Sequence, residues 1–327
     1  MSRLPLLLVV CFALAGAAIA AAPTDEAVQG IYEGTLKAAG GEQKVEARLV
    51  ACGKGTYKLF LRLQVTAKIV GKIDLDGKAE GDAVAFKGKA GDAEWTAAWA
   101  ADGTVKGAGG LDGKLELKRI VRESPTLGAK PPAGAIVLLG EKNYDGVTKK
   151  PLKDGKEQDW VPVDGGGILV PKGGMNSKQP FGDASFKLHV EFKNPLMPEA
   201  RGQARGNSGV ILPTGDEIQV LDSFGMTTYT GGGCGGLYKY KDPDAFDEFS
   251  LASLPPGQWQ TYDIEYRVQK QGGKPAGKPR VTVLHNGIKI HDNAELAKDA
   301  KVGVVNFQDH GNAVHYRNIW AQPLGDK

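Results

Sequence analysis

Residues 206–223 read GNSGVILPTGDEIQVLDS, in which two apolar runs flank a turn containing proline and glycine. Such runs predict two neighbouring β-strands. Side chains alternate along a strand, so Ile218 and Val220 would face a core, whereas Glu217 and Gln219 would face outward. At a typical strand rise the Cα atoms of Glu217 and Gln219 lie about 6.5 Å apart. The stretch therefore predicts a carboxylate and an amide side by side on an open sheet face.

By strict alternation the side chain of Asp222 would lie on the same side of the strand as Ile218. It would lie on the side of Glu217 only if a β-bulge followed Gln219. Bulges of this kind are common beside active sites. The alternative is an ordinary exposed strand whose polar side chains face water.

The same alternation extends through the C-terminal part, residues 135–324, and predicts a β-sandwich with Gly- and Pro-rich loops. Asn286-Gly287 is the clearest hairpin turn. The only helix candidate is short, Asn293–Lys298. The predicted strands are Ile136–Leu139, Gly167–Val170, Ala184–Phe192, Ser208–Leu212, Glu217–Leu221, Gln260–Arg267, Arg280–His285, Ile288–His291, Val302–Gln308 and Ala313–Trp320.

Residues 24–122 predict a separate small β-rich domain, an antiparallel meander or small barrel, so the fold class is all-β throughout. Its turns are Asp76-Gly77, Gly91-Asp92, Asp102-Gly103 and Asp112-Gly113. Residues 123–134 carry three prolines and predict a semi-rigid linker. The predicted strands are Gly30–Lys37, Gln43–Ala51, Tyr57–Leu63, Ala83–Lys87, Glu94–Ala100 and Lys114–Val121.

Residues 1–20 have the pattern of a secretory signal peptide. Arg3 precedes an apolar run, and Ala18-Ile19-Ala20 offers a cleavage site. The alternative is a membrane anchor near the lower length limit for a spanning helix. No later stretch approaches that length, so we expect an exported protein, periplasmic, cell-surface or secreted, without a membrane span after cleavage.

The charges are nearly balanced, with 41 Lys and Arg against 38 Asp and Glu. Without a concentrated basic face the chain lacks what phosphate backbones require, which excludes nucleic acid as a partner. Beyond residue 20 only Cys52 and Cys234 remain, and they fall in different predicted domains. Two free thiols are therefore expected, although export would permit a pair.

Further polar residues are candidates for a site. His189 and Glu191 share one face of a predicted strand, and His310 stands before a glycine at a strand-to-turn junction. Arg317 lies on the last strand, and Tyr238 follows a run of glycines. Each of these residues also has a purely structural alternative. His310 would be solvated, Arg317 would pair with a carboxylate at the core edge, and Tyr238 would pack at a rim.

Several ordered motifs of residues 135–324 resemble the 3-keto-disaccharide hydrolase family. The resemblance implies a concanavalin-like jelly roll that acts on a sugar. It does not extend to residues 24–122. Lys239-Tyr240-Lys241 departs from the smaller residues expected after Tyr238 and bears on substrate size. The motifs are Asn207-Ser208-Gly209, Glu217-x-Gln219-x-x-Asp222, Gly235-Gly236-Leu237-Tyr238, Pro256–Asp263, Asn286-Gly287, Asp309-His310-Gly311 and Arg317–Trp320.

A 3-keto sugar can be cleaved without two carboxylates, because its ketone acidifies the hydrogen on C2. A base forms an enolate, the glycosidic oxygen on C1 is expelled, and water adds back. This needs a base, a donor for the enolate oxygen and an acid. We assign proton transfer to Glu217 or His310, with Asp222 orienting one of them. Hydroxyls or the oxyanion would be held by Arg317, Gln219 and Asn207, with Tyr238, Glu191 and His189 as further substrate contacts.

Three alternatives stay open at this point. A divalent cation such as Ca²⁺ could replace the oxyanion donor, and no organic cofactor is expected. A conventional glycosidase would need a second carboxylate, but Gln219 cannot ionise. A lectin-like module would bind a sugar without cleaving it.

Overall fold

The structure is a computed structural model that describes residues 21–65, 68–110, 112–152, 154–156, 158–226, 228–244 and 252–325. The predicted signal peptide, residues 1–20, lies outside this part of the chain. Strands dominate throughout, so the all-β prediction is confirmed. Across the described residues, no helix is long and apolar enough to cross a membrane.

An eight-stranded antiparallel barrel forms the first part of the structure. Each strand pairs with the next, and β1 also pairs with β8, which closes the barrel. A short helix, α1 (Asp25–Val28), precedes it. The strands are β1 (Gly30–Ala38), β2 (Gly41–Gly53), β3 (Thr56–Val65), β4 (Lys68–Glu80), β5 (Ala83–Ala90), β6 (Ala93–Trp99), β7 (Thr104–Gly109) and β8 (Gly113–Ile120).

Alternate side chains of these strands fill the barrel interior, as strand periodicity requires. Polar atoms inside are paired: the Trp99 indole donates to the Tyr32 hydroxyl at 2.8 Å, and that hydroxyl donates to the Val28 carbonyl at 2.7 Å. The interior is therefore a packed core that also anchors α1.

Two barrel strands, β4 and β7, were missed by the sequence prediction. The predicted turn at Asp76-Gly77 is wrong, because both residues lie inside β4. Gly77 is opposite Phe86, and a Cβ on Gly77 would lie 2.3 Å from the Phe86 ring. The glycine makes room for an aromatic ring and does not reverse the chain.

Two sheets packed face to face form the second part. A five-stranded sheet has the order β10-β12-β19-β14-β15, and a seven-stranded sheet has the order β11-β20-β13-β16-β17-β18 with β9 beside β20. The strands are β9 (Ile136–Leu139), β10 (Val147–Lys149), β11 (Ile168–Leu169), β12 (Met175–Ser177), β13 (Phe186–Lys193), β14 (Ser208–Ile211), β15 (Glu217–Val220), β16 (Gln260–Gln271), β17 (Lys274–His285), β18 (Ile288–Glu295), β19 (Asn306–Phe307) and β20 (His315–Pro323).

One apolar core lies between the two sheets and contains Val190 of β13, Val210 of β14 and Ile218 of β15. The predicted sandwich is thus confirmed. The helix predicted at Asn293–Lys298 is wrong, since β18 continues to Glu295.

The segment after the barrel lies against the seven-stranded sheet. The Thr126 hydroxyl donates to Asp263 at 2.6 Å, and the Gly128 amide donates to Glu191 at 2.6 Å. The predicted linker is therefore held to the sandwich by hydrogen bonds.

The barrel also contacts the segment that follows β15 and the segment that precedes β16. Its outward-facing Ile31 and Val50 form a buried cluster with Phe224 and Leu254. Cys52 and Cys234 are both free, as predicted. The outer wall of the barrel thus packs against the connection between β15 and β16.

Candidate active site

The outer face of the five-stranded sheet, here called the polar face, collects side chains that point away from the core. Met175, Val210, Ile218 and Phe307 are buried in the core, so their strand neighbours face outward. Backbone pairing aligns these neighbours in rows across β12, β19, β14 and β15. The outward-facing residues are Asn176, Gly209, Ile211, Glu217, Gln219, Asn306 and Gln308.

Glu217 begins β15, the edge strand of the five-stranded sheet, and its carboxylate lies above Gly209 of β14. A Cβ on Gly209 would lie 2.1 Å from Oε1 of Glu217, so only glycine leaves this space open. Burial raises the pKa of Glu217 to about 7, against the opposing effect of the Lys298 charge. No described residue donates a hydrogen bond to the carboxylate. Near neutral pH this group can therefore both take and give a proton.

Tyr238 flanks Glu217 on the side away from Gly209. Leu237 bridges to Ile218 and is buried in the core, and the Tyr238 amide donates to the Glu217 carbonyl at 2.9 Å. The side chains of Tyr238 and Glu217 therefore share the polar face. The Tyr229 hydroxyl donates to the Tyr238 hydroxyl at 2.9 Å, which leaves the proton of Tyr238 for another acceptor.

A chain of three amides lies beside Glu217. The Gln203 Nε2 donates to the Gly232 carbonyl at 2.8 Å, which fixes the orientation of the Gln203 amide. Its Oε1 then accepts from Gln219 Nε2 at 2.8 Å and from Asn207 Nδ2 at 3.3 Å. The Oε1 of Gln219 and the Oδ1 of Asn207 consequently point away from Gln203 and have no donor among the described residues. Buried acceptors without a donor are rare, and sugar hydroxyls are donors of the right kind.

Asp222 has no hydrogen bond to Glu217, because its carboxylate is held by Arg205 and by the Phe224 amide. It is buried, with Oδ2 2.7 Å from Nε of Arg205 and Oδ1 accepting from the Phe224 amide. Burial raises the pKa of Asp222 to about 6, while Arg205 opposes the rise. The predicted orienting contact from Asp222 to Glu217 or His310 is therefore wrong.

His310 follows the extension of β19. The Gln308 amide donates to the Gly209 carbonyl at 2.9 Å. This hydrogen bond keeps the chain beside β14, the strand that pairs with β15. Asp309 then closes a turn by accepting from the Gly311 amide at 2.8 Å. His310 is exposed on this turn and has no hydrogen bond to Glu217.

A second polar group, formed by His189, Glu191 and Arg317, lies on the outer face of the other sheet. Leu188 and Val190 on the same strand are buried in the shared core, so the three polar side chains point away from the polar face. The prediction that these residues share a cleft with Glu217 is therefore wrong. β13 and β15 have the same alternation of buried and outward-facing side chains, but they belong to different sheets.

Hydrogen bonds link the side chains of this second group to one another and to their neighbours. Nε of Arg317 donates to Glu191 at 2.7 Å, and His189 lies 2.6 Å from Asp263. Burial opposes ionisation of Glu191, but donors including His189, Asn318 and Arg317 outweigh it and lower its pKa to about 2. Burial likewise opposes a charge on His189, yet its two carboxylate partners raise its pKa above the usual value. The group acts as a polar anchor for the segment after the barrel.

The described residues contain no group of three or more His, Cys, Asp or Glu side chains arranged to hold a metal ion.

β-Sandwiches built from two packed sheets include lectin domains that bind carbohydrate. Residues 134–322 match the family model described as "3-keto-alpha-glucoside-1,2-lyase-like domain". The chain belongs to this family, which its motifs resemble, and so contains a carbohydrate-active domain of the glycosidase or lyase kind.

Among solved structures, the chain is similar to one described as a "putative glycosyl hydrolase" from Parabacteroides distasonis ATCC 8503. The two share 31% identity over 59% of this chain and 85% of that chain, with a TM-score of 0.49. No curated protein matches the chain.

Sequence reasoning missed Gln203, Tyr229 and Lys298, which reach the site from loops. Gln203 lies in a single 3₁₀ turn, Gly202–Ala204, that no periodic pattern reveals. The available signal was Gly209, since a strand glycine often marks a close approach of another group.

Proposed function

We propose that this protein cleaves the glycosidic bond of a 3-keto-disaccharide or 3-keto-glycoside by removing the C2 proton, eliminating the leaving group and adding water. The single observation that carries the proposal is the Glu217 carboxyl group, half-buried without a hydrogen-bond donor among the described residues and with a pKa of about 7. A proton-transfer group works best when its pKa lies near the working pH.

In the proposed reaction the ionised Glu217 takes the proton from C2, and the C–H electron pair forms an enolate with charge on the C3 oxygen. Return of that electron pair breaks the C1–O bond. The Tyr238 hydroxyl, already accepting from Tyr229, donates its proton to the departing oxygen. Water then adds to C1 of the resulting enone as a proton returns to C2.

The amides would position the sugar ring. Asn207 and Gln219 have buried acceptor oxygens without a donor among the described residues, and Gln203 fixes the orientation of both amides. Positioning of this kind contributes to rate because the reacting atoms are held near their reaction geometry.

A conventional retaining glycosidase needs two carboxyl groups about 5 Å apart across the scissile bond. Asp222 is buried beyond the end of β15, and its carboxylate is held by Arg205. Glu217 is the one acid among the described strand residues of the polar face, and this favours elimination over the two-carboxylate mechanism.

We also propose that the protein is exported, on the basis of the signal-like residues 1–20.

The test incubates the full chain with a 3-keto-disaccharide and with its unoxidised parent, each with and without a chelator. Cleavage of the keto sugar alone is the expected result. Cleavage of the parent at a similar rate would instead identify a conventional glycosidase, and tight binding without products would identify a lectin-like module. Loss of activity with chelator would show that a divalent cation takes part.

Replacement of either candidate base separates their roles. Glu217→Gln should abolish most turnover, whereas His310→Ala, on an exposed turn, should keep more of it. The reverse order would transfer the proton-transfer role to His310.

A further inference from the structure

A cavity of about 320 Å³ opens beside Glu217 on the outer side of β15. Tyr238, Lys239, Tyr240 and Lys298 form much of its wall. Its volume falls at the lower end of small-ligand sites, where a single sugar ring fits.

The carboxylate of Asp216, also in this wall, is occupied by donors from the protein. It accepts from the Thr214 hydroxyl at 2.7 Å, from the Ala297 amide at 3.2 Å and from the Lys298 amide at 3.3 Å. The negative charge of Asp216 is therefore stabilised by hydrogen bonds from the protein itself.

The two lysines of the wall, Lys239 and Lys298, have no ion-paired carboxylate among the described residues. Among the described residues, no carboxylate lies within ion-pair distance of either Nζ, whereas nearby Lys241 is paired with Asp244. Lys298 donates to the carbonyl of Gly215, and Lys239 lies over the Tyr238 ring at 5.2 Å. Among the described residues, the mouth of the cavity therefore carries two positive charges without an ion-paired carboxylate.

Lys239 has a backbone conformation that a lysine rarely adopts. Its φ is 57°, in the left-handed region that favours glycine. Amides of Tyr240 and Lys241 donate to the Leu237 carbonyl and hold the turn at 2.8 Å and 3.0 Å. Strained residues of this kind concentrate at functional sites. Here the turn keeps an ammonium group at the mouth of the cavity.

We propose that this cavity binds a sugar residue that bears an anionic group, with Lys239 and Lys298 as the partners of that group. The inference rests on the proposed function, because it names the substrate class of the same site. The sugar ring packs against Tyr238 and Tyr240, and its carboxylate or phosphate meets the two ammonium groups. The preference is one of binding and needs no turnover.

The test is calorimetric titration of the full chain at low ionic strength with glucuronic acid, glucose 6-phosphate and glucose. At about pH 6 Glu217 is mostly protonated and does not repel the anion. Exposed ion pairs of this type change affinity by about 2- to 5-fold each, so the anionic sugars should bind roughly 10-fold more tightly than glucose. The carboxylate and phosphate arms show which anion is preferred.

The double variant Lys239→Gln with Lys298→Gln should lose this preference and keep its affinity for glucose. The matched control is Lys142→Gln with Lys178→Gln, two exposed lysines outside the cavity wall, which should retain the preference. Equal affinity for all three sugars, no measurable binding of either anionic sugar, or an unchanged preference in the double variant would overturn the inference. If the preference is found but no keto sugar is cleaved, only the proposed function fails.

Discussion

Replacement of Glu217 by Gln perturbs both catalysis and stability in ways that the structure specifies. Glutamine keeps the shape above Gly209 but cannot transfer a proton. Turnover of a 3-keto-disaccharide should fall by about 100- to 10,000-fold, the usual contribution of a general base. Substrate affinity should change little, because the amides of Gln203, Asn207 and Gln219 are untouched.

The stability effect follows from the raised pKa. The pKa of Glu217 rises from 4.5 to about 7 on folding, so the folded state holds the proton more tightly and its stability falls as the pH rises through this window. A shift of this size corresponds to about 3 kcal/mol at most, and partial exposure reduces it to about 1–2 kcal/mol. Glu217→Gln should therefore stabilise the protein at pH above 7 and have little effect below 4.5.

The assays are kinetics with the keto sugar and urea unfolding, each at low and high pH. Glu295→Gln is the control, since Glu295 is an exposed carboxylate on the other sheet, 3.4 Å from Arg280. Near-normal turnover in Glu217→Gln would refute the catalytic assignment. An equal change in unfolding free energy at both pH values would refute the reasoning from burial.

Three further predictions concern the surroundings of the site. Gly209→Ala should displace the Glu217 carboxylate, because the new Cβ would lie 2.1 Å from Oε1, and should lower kcat/KM by about 100-fold with a folded circular dichroism spectrum. Unchanged kinetics would mean that the carboxylate does not act from this position. Arg205→Ala should destabilise the protein by about 3–5 kcal/mol in urea unfolding, since it leaves Asp222 buried without its charge partner; a loss under 1 kcal/mol would contradict this. Glu191→Gln should remove stability that the native protein has above pH 4.5 and loses as the pH falls towards about 2, while keto-sugar turnover at neutral pH is kept. Loss of that turnover in a folded variant would tie the second polar group to catalysis.

The polar face could be predicted from sequence because strand periodicity is strict. The alternation around Ile218 and Val220 placed Glu217 and Gln219 outward, and the structure shows them so. The same rule placed His189 and Glu191 on one face correctly.

The alternation of side chains along a strand does not tell which sheet the strand joins. This explains why His189 and Glu191 were wrongly expected to share a cleft with Glu217. His189 and Glu191 have the same pattern as Glu217 and Gln219, but β13 pairs within the seven-stranded sheet. Pairing between strands that are distant in sequence is not encoded by any local pattern. This pairing placed His189 and Glu191 on a different sheet from Glu217.

Side chains from irregular segments were also beyond sequence reasoning. Gln203 and Tyr229 reach the polar face from loops, whose course depends on tertiary contacts. Glycines within strands were the nearest available evidence: Gly77 accommodates Phe86, and Gly209 accommodates Glu217.

In the proposed reaction Glu217 removes a proton from C2 of a bound 3-keto sugar. This step can be tested by the rate of cleavage of a 3-keto-disaccharide carrying deuterium at C2, compared with the protiated sugar. We expect slower cleavage of the deuterated sugar by the native protein, because the C–H bond breaks before the leaving group departs. Equal rates for both sugars, together with equally fast cleavage of the unoxidised disaccharide, would contradict it.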